Sequence, residues 1–332
     1  VQIGRGDDFF AVGGHSLLCV QLARRIEAGF GVRLPIARLY ESRTLSAMAA
    51  LVEAGTAAGA ETETIVCLRE GDGPAILLVH PIGGDVLCYS DIAAAWPGDT
   101  RLLAIRHPDV DADRRPDFLS LAAMASRYRA DAVRFLGRVP DRVGGWSFGG
   151  SVAHEMVRQW EAEDVAPEGL LLIDSPVPDR SYVARARAML SDLPDLRGAA
   201  LVDALVDHPR FKALIETEYG IGRLNGLVDA ATIDHIMQVH AVNALALAEH
   251  RPGQVRTPLA YALARRAENA RDLEELQQHL RRLGAGRVEA AAFDEDHFSI
   301  IRETAAERVA RFLAGALESP PGAEAPPVES LT

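Results

Sequence analysis

The sequence predicts an α/β fold: a largely parallel sheet covered by helices on both faces, carrying a helical insertion and preceded by a small all-α unit. Three observations lead there. Short continuous apolar runs at 75–79, 102–105, 170–173, 259–264 and 287–293 alternate with helical patterns, as expected of strands buried on both faces. Between about 181 and 250 these runs stop and only helix-like patches remain. Residues up to about 54 hold helical patterns without strand-like runs. A chain of 332 residues is long enough for one large or two modest domains.

Taken in order, residues 1–54 form the first unit. Residues 55–63 are rich in Ala, Gly, Thr and Glu and nearly free of bulky apolar residues, a composition suited to a flexible linker. The second unit spans 64–318. Its first clear strand, 75–79, leads into the turn Pro81-Ile82-Gly83-Gly84. Residues 119–136 read as a long helix. Helical patches at 183–190, 199–206, 211–219 and 230–248 make up the insertion, most simply a lid over a ligand crevice at about 181–250. A final helix is expected over 299–317. The last segment, 319–332, has four prolines and little apolar content, as expected of a disordered tail.

The most informative motif of the second unit is Gly145-Trp146-Ser147-Phe148-Gly149-Gly150. A short strand, 141–144, precedes it, and Val152, Met156 and Trp160 follow at helical spacing. Ser147 therefore sits at a strand-to-helix turn, the context of a nucleophile elbow in an α/β-hydrolase. Such a turn strains the serine backbone and needs small flanking residues. The free N–H groups opening the next helix favour a developing oxyanion. Phe148 N–H is the first expected donor. The second is Ile82 N–H, with Gly83 as runner-up, because Pro81 has no N–H to give.

A serine needs a general base, and the base needs an orienting acid. In chain order Ser, Asp, His, His297 follows the last apolar run and Asp174 ends the 170–173 run, at the same sheet edge as Ser147. Glu268 after the next strand is a rival acid in a charged, solvated-looking stretch, and Asp294 and Asp296 beside His297 are lesser rivals. His80 is a weaker rival base in the oxyanion loop. His208, His235, His240 and His250 fall in the insertion or at its end, where lining or surface roles are expected.

In the first unit, Asp8-Phe9-Phe10-Ala11-Val12-Gly13-Gly14-His15-Ser16-Leu17-Leu18 is a Gly-rich turn that places Ser16 at the start of a helix. On physical grounds alone that serine is an ordinary N-cap, although the positive end of a helix also suits an attached phosphate. The wording of the whole stretch resembles the peptidyl carrier (thiolation) domains of nonribosomal peptide synthetases, and the likeness continues through Phe30-Gly31-Val32, Leu34-Pro35 and Leu39-Tyr40 to Leu45. The resemblance implies a helical bundle whose Ser16 bears a covalent 4′-phosphopantetheine arm. Relatives have a further helix ahead of this motif, so a carrier unit shortened at its N-terminus is expected. The second unit resembles the terminal thioesterases of the same synthetases through its elbow, His80-Pro81-Ile82-Gly83-Gly84 and Asp296-His297-Phe298. That resemblance implies an acid after the strand before the lid, which is Asp174. It also implies release of a finished chain by transfer to Ser147, then hydrolysis or macrocyclisation. The implied partners are upstream condensation and adenylation domains, a phosphopantetheinyl transferase and a peptidyl thioester substrate. A generic esterase or lipase, and an inactive carrier-docking module, are the alternatives.

Composition narrows the field. A net charge of −12, with no basic stripe interleaved with aromatics, argues against nucleic acid as a partner. The three cysteines, Cys19, Cys67 and Cys88, form no CxxC pair, so neither a disulfide framework nor a metal site is expected; they read as packing residues. No signal segment or membrane-spanning run is recognisable. A cytoplasmic, monomeric fragment of a longer chain is therefore the expectation.

Overall fold

Seven strands make one sheet: β1 (Ile65–Arg69), β2 (Ala75–Val79), β3 (Arg101–Ile105), β4 (Arg142–Trp146), β5 (Gly169–Ile173), β6 (Leu259–Ala264) and β7 (Val288–Phe293). Their spatial order is β1-β3-β2-β4-β5-β6-β7. β1 runs antiparallel to β3, and all other neighbours are parallel. The structure, a computed structural model, describes residues 3–9, 12, 16–32, 34, 38–39, 42–55, 64–110, 115–117, 119–176, 191, 193, 196–219, 230–266, 273–282 and 286–316. The greater part of the expected linker, the whole of the expected tail, the patch 183–190 and Glu268 lie outside these residues.

The strands read as apolar runs because helices cover both faces. Successive residues alternate between two cores: Leu77, Val79, Leu103 and Val143 join one, while Ile76, Leu78, Leu102 and Leu171 join the other. The first core is closed by α4 (Leu121–Leu136), α5 (Phe148–Glu161) and α9 (Leu273–Arg282) through Met124, Tyr128, Met156, Trp160, Leu276 and Leu280. The second is closed by α3 (Ser90–Ala95) and α10 (Glu303–Gly315) through Ile92, Val309 and Leu313.

Three elements depart from the pattern read in the sequence. No strand is expected at 65–69; β1 is a short edge strand, bulged between Cys67 and Arg69, although Ile65-Val66-Cys67-Leu68 is itself a short apolar run. Helix α9 also goes unanticipated, because its exposed face is charged. The expected helix from residue 299 is broken: Ser299–Ile301 form a 3₁₀ turn, and the α-helix starts at Glu303. Arg302 is extended and Glu303 adopts a positive φ of 45°, while Asp91 of α3 accepts the Glu303 N–H at 2.9 Å. A contact from a distant element thus caps this helix.

The insertion contributes α6 (Ala199–Asp207), α7 (Pro209–Tyr219) and α8 (Ala230–Glu249). They share a small apolar core of their own, including Val202, Leu205, Phe211, Ile215 and Met237. In the N-terminal unit, α1 (Ser16–Phe30) and α2 (Leu45–Ala54) surround Ile26, Leu34, Leu39 and Met48. Thr44 caps α2 by accepting the Ala47 N–H at 3.2 Å, as a threonine N-cap does. Cys19 is fully buried but packs against Leu87 of the thioesterase-like unit rather than into this core; burial pushes its thiol pKa up to about 12.

Candidate active site

The site is assembled at the C-terminal ends of the parallel strands, where open α/β sheets place ligands. β4 ends at Ser147, which sits at φ 55°, ψ −128°, a left-handed conformation strained for a side-chain-bearing residue. Close approach explains its glycine neighbours: a Cβ on Gly145 would lie 2.5 Å from the Gly149 backbone, and one on Gly149 would lie 2.1 Å from the Val79 carbonyl oxygen. The turn is held from the next strand as well. Ser147 N–H donates to Ile173 O at 3.0 Å, and the Ser175 hydroxyl donates to Ser147 O at 2.9 Å.

His297 Nε2 lies 3.1 Å from Ser147 Oγ, and His297 Nδ1 lies 2.6 Å from Asp174 Oδ2. A carboxylate can only accept, so the ring proton belongs on Nδ1 and Nε2 presents a lone pair to the serine hydroxyl. Asp174 itself has φ 39°, and its other oxygen accepts the Ala264 N–H at 3.1 Å. Trp146 fixes the histidine loop: its indole N–H donates to His297 O at 2.9 Å, and its ring lies 4.9 Å from the imidazole.

Of the rival groups, Asp296 accepts the N–H groups of Phe298 and Ser299, both at 2.8 Å, which holds its carboxyl below the usual range; it caps the 3₁₀ turn. Asp294 pairs with Arg266 at 3.3 Å. His80 is fully buried beneath the loop, with Nε2 2.6 Å from the Tyr128 hydroxyl. His208 accepts the Arg210 N–H, His235 bonds Asp109 O at 2.6 Å, and His240 is buried on α8. His250 ends that helix, and burial lowers its pKa.

Ile82 and Phe148, the expected oxyanion donors, are both buried. Among the described residues, neither N–H donates to a loop or turn carbonyl. The loop is roofed by α8: Asn243, fully buried, donates to Ile82 O at 2.8 Å, and His240 borders Gly83. Ser16 is the first residue of α1.

A family model described as the thioesterase domain matches residues 74–317. The chain belongs to the thioesterase-domain family. A second model, the phosphopantetheine attachment site, matches residues 1–52, so this thioesterase chain carries a covalent-cofactor carrier unit ahead of its sheet. The chain is 30% identical over 174 residues to a dimodular nonribosomal peptide synthase of Bacillus subtilis (strain 168), covering 52% of this chain and 7% of that protein. It is 30% identical over 188 residues to the atromentin synthetase greA of Suillus grevillei, covering 54% and 20%. The thioesterase chain thus spans only a small part of these relatives. Among solved structures, a holo four-domain nonribosomal peptide synthetase, AB3403, aligns with 96% of this chain and 25% of its own at TM-score 0.63 and 24% identity. The NocB thioesterase domain from the nocardicin cluster aligns with 77% of this chain and 99% of its own at TM-score 0.52 and 26% identity.

Sequence reasoning did not single out Ser175, Tyr128 or Asn243. They touch the site from 28, 48 and 161 positions away from their partners, and no local pattern announces such pairings.

Proposed function

We propose that the thioesterase unit releases an acyl or peptidyl chain from a carrier-held thioester by transfer through Ser147. The reading rests on one observation: the unbroken Asp174–His297–Ser147 hydrogen-bonded chain of 2.6 and 3.1 Å at a strained strand-to-helix turn. Ser147 Oγ attacks the thioester carbonyl as His297 Nε2 accepts its proton. Asp174 keeps Nδ1 protonated and stabilises the imidazolium. The carbonyl oxygen becomes an oxyanion opposite the Ile82 and Phe148 N–H groups. Collapse breaks the C–S bond, and His297 returns the proton to the departing thiolate. A second nucleophile then gives its proton to His297 as it attacks the acyl-serine, and collapse breaks the ester C–O bond while His297 returns that proton to Ser147 Oγ. Water yields the free acid; an amine or hydroxyl of the same chain yields a macrocycle.

Ser16 fits the attachment point for phosphopantetheine. It opens a fifteen-residue helix, whose unpaired N–H groups and positive dipole end suit a phosphodiester. When bound, that group supplies a thiol able to carry the acyl chain as a thioester. The remaining synthetase domains implied by the relatives' names would lie upstream and supply that chain.

The test is intact-mass analysis of the protein with a synthetic acyl thioester. An acyl adduct that is lost in Ser147→Ala supports the reading, and turnover unchanged by Ser147→Ala sinks it. Treatment with a phosphopantetheinyl transferase should add the arm's mass to wild type and not to Ser16→Ala. No added mass on wild type would favour a generic esterase. The product's mass, linear or less one water, separates hydrolysis from cyclisation.

A further inference from the structure

The oxyanion loop owes its aim to a group beneath it. His80 continues the sheet ladder by donating its N–H to Ile105 O at 3.0 Å, and its side chain is fully buried. Nδ1 lies 2.7 Å from Pro81 O, and Nε2 lies 2.6 Å from the Tyr128 hydroxyl. A carbonyl oxygen only accepts, so Nδ1 carries the proton; Nε2 is then bare and accepts from Tyr128.

The Pro81 carbonyl and the Ile82 N–H belong to the same planar peptide unit, and in a trans peptide they point in opposite directions. Holding the oxygen down toward His80 therefore turns the N–H up and away from it. Gly84 N–H, donating to the same oxygen at 2.9 Å, closes the turn over this peptide. The His80 ring also stacks on Phe148, with centroids 5.8 Å apart and planes 25° from parallel. One imidazole thus touches the peptide that carries one donor and the side chain of the residue that carries the other.

We propose that His80, its Nδ1 proton directed to the Pro81 carbonyl and its bare Nε2 satisfied by the Tyr128 hydroxyl, is a positioning residue that aims the Ile82 N–H at the oxyanion formed during acyl transfer. The role rests on the thioesterase reading above. It differs from that of a general base, because His80 reaches the reaction only through a peptide plane. Burial lowers its pKa to about 4, so near neutral pH the ring stays uncharged and keeps its single proton on Nδ1.

The experiment compares wild type, His80→Asn, His80→Leu and Tyr128→Phe with a synthetic acyl thioester, alongside thermal melts and the affinity of an alkylboronate that forms a tetrahedral adduct on Ser147. Asn keeps an N–H donor near the Nδ1 position; Leu fills similar space without one. Losing one oxyanion donor lowers kcat by roughly 10²–10³-fold, so His80→Leu should lose at least about tenfold in kcat with KM within about twofold. It should lose boronate affinity in parallel, and His80→Asn should recover most of both. Tyr128→Phe, which keeps the ring's packing, should lose a smaller factor in the same two readouts. Equal losses in Asn and Leu variants that melt like wild type would overturn the proposal. Unchanged kcat and boronate affinity in Tyr128→Phe would remove the Tyr128 contact from it, and should His80→Leu fail to fold, a His80→Asn variant that melts like wild type yet loses about tenfold or more in kcat overturns it. A wild type that forms no acyl-Ser147 instead refutes the thioesterase reading itself, a result the mass measurement separates from the others.

Discussion

Asp174→Asn isolates the orienting acid without changing its shape. Asp174 meets two donors at once, Ala264 N–H at 3.1 Å and His297 Nδ1 at 2.6 Å. An asparagine has one accepting oxygen and one donating NH₂ group, so it cannot serve both. If its oxygen stays with Ala264, the NH₂ faces Nδ1 and drives the ring proton to Nε2, where it points at Ser147 and the base is lost. If the amide flips, two donors confront each other beside Ala264. Leaving a buried hydrogen-bonding group unmatched costs about 1–3 kcal/mol, so the first arrangement should dominate. Replacing the right tautomer by the wrong one in a serine–histidine–aspartate site lowers kcat by about 10⁴-fold. We expect a loss of roughly 10³–10⁴ in kcat, KM little changed and a melting temperature within a few degrees of wild type. Steady-state hydrolysis of a synthetic acyl thioester measures it. A loss below about tenfold would show that His297 takes its orientation elsewhere and would refute the assignment of Asp174. Asp296→Asn is the matched control, since Asp296 spends its carboxylate on the Phe298 and Ser299 N–H groups.

Three further outcomes are expected. Asn243→Ala strips the buried Ile82 carbonyl of its partner on the lid helix, so amides of α8 should exchange hydrogen faster and turnover should fall; unchanged protection and unchanged turnover would dismiss this lid contact. Tyr89 donates to Val79 O at 2.5 Å and accepts Trp146 N–H at 2.8 Å, bridging β2 and β4, and losing both bonds in Tyr89→Phe should lower urea-unfolding stability by about 2–4 kcal/mol. The pKa values of His80, His154 and His240 are lowered by burial to about 4 from 6.5. Between those values the unfolded chain binds protons that the folded one does not, so stability is full above about pH 6.5 and declines as pH falls toward 4. At about 1.4 kcal/mol per unit, each histidine costs about 2 kcal/mol by pH 5. Urea titrations at pH 7 and 5 should show the decline, with a gentler slope in His154→Leu; equal stability at the two pH values would contradict it.

How much of this was legible depended on how local each signal was. Strands β2, β3, β5 and β6 were readable because both their faces are buried, which writes each as an apolar run; β7 was read from its apolar residues although it is largely half-buried, and β4 from the glycine-flanked motif that follows it. Asp174 and His297 were readable because each follows an apolar run, and Ser147 because of its glycine-flanked motif before a helical pattern; the structure brings the three within hydrogen-bonding distance. Helix α9 could have been found from Leu273, Leu276 and Leu280 at helical spacing, two of them buried, but its many charges hid the stripe. β1 could have been found as well, since Ile65-Val66-Cys67-Leu68 is a continuous apolar run just after the linker-like stretch. His80 was visible only as a histidine in a loop. Its use depends on Tyr128, which α4 brings into the core shared with Val79 and Phe148, and Ser175 depends likewise on the adjacency of β4 and β5.

Strand order explains how a carboxylate after β5 reaches His297. β2, β4 and β5 are neighbours, so the oxyanion loop, the elbow and Asp174 emerge side by side. β7, which delivers His297, is separated from β5 by β6. At about 4.8 Å per strand spacing, Asp174 and the base of the His297 loop start about 10 Å apart and must meet over the end of β6. β6 ends in Ala264, and that residue's N–H is the donor that steadies Asp174 as it leans across. The positive φ of Asp174 belongs to the same turn. An acid placed after β6 would begin one strand nearer to His297 but would give up the anchoring N–H that β6 offers to its neighbour. The intervening strand therefore both sets the gap and supplies the hydrogen bond that lets a carboxylate from β5 close it.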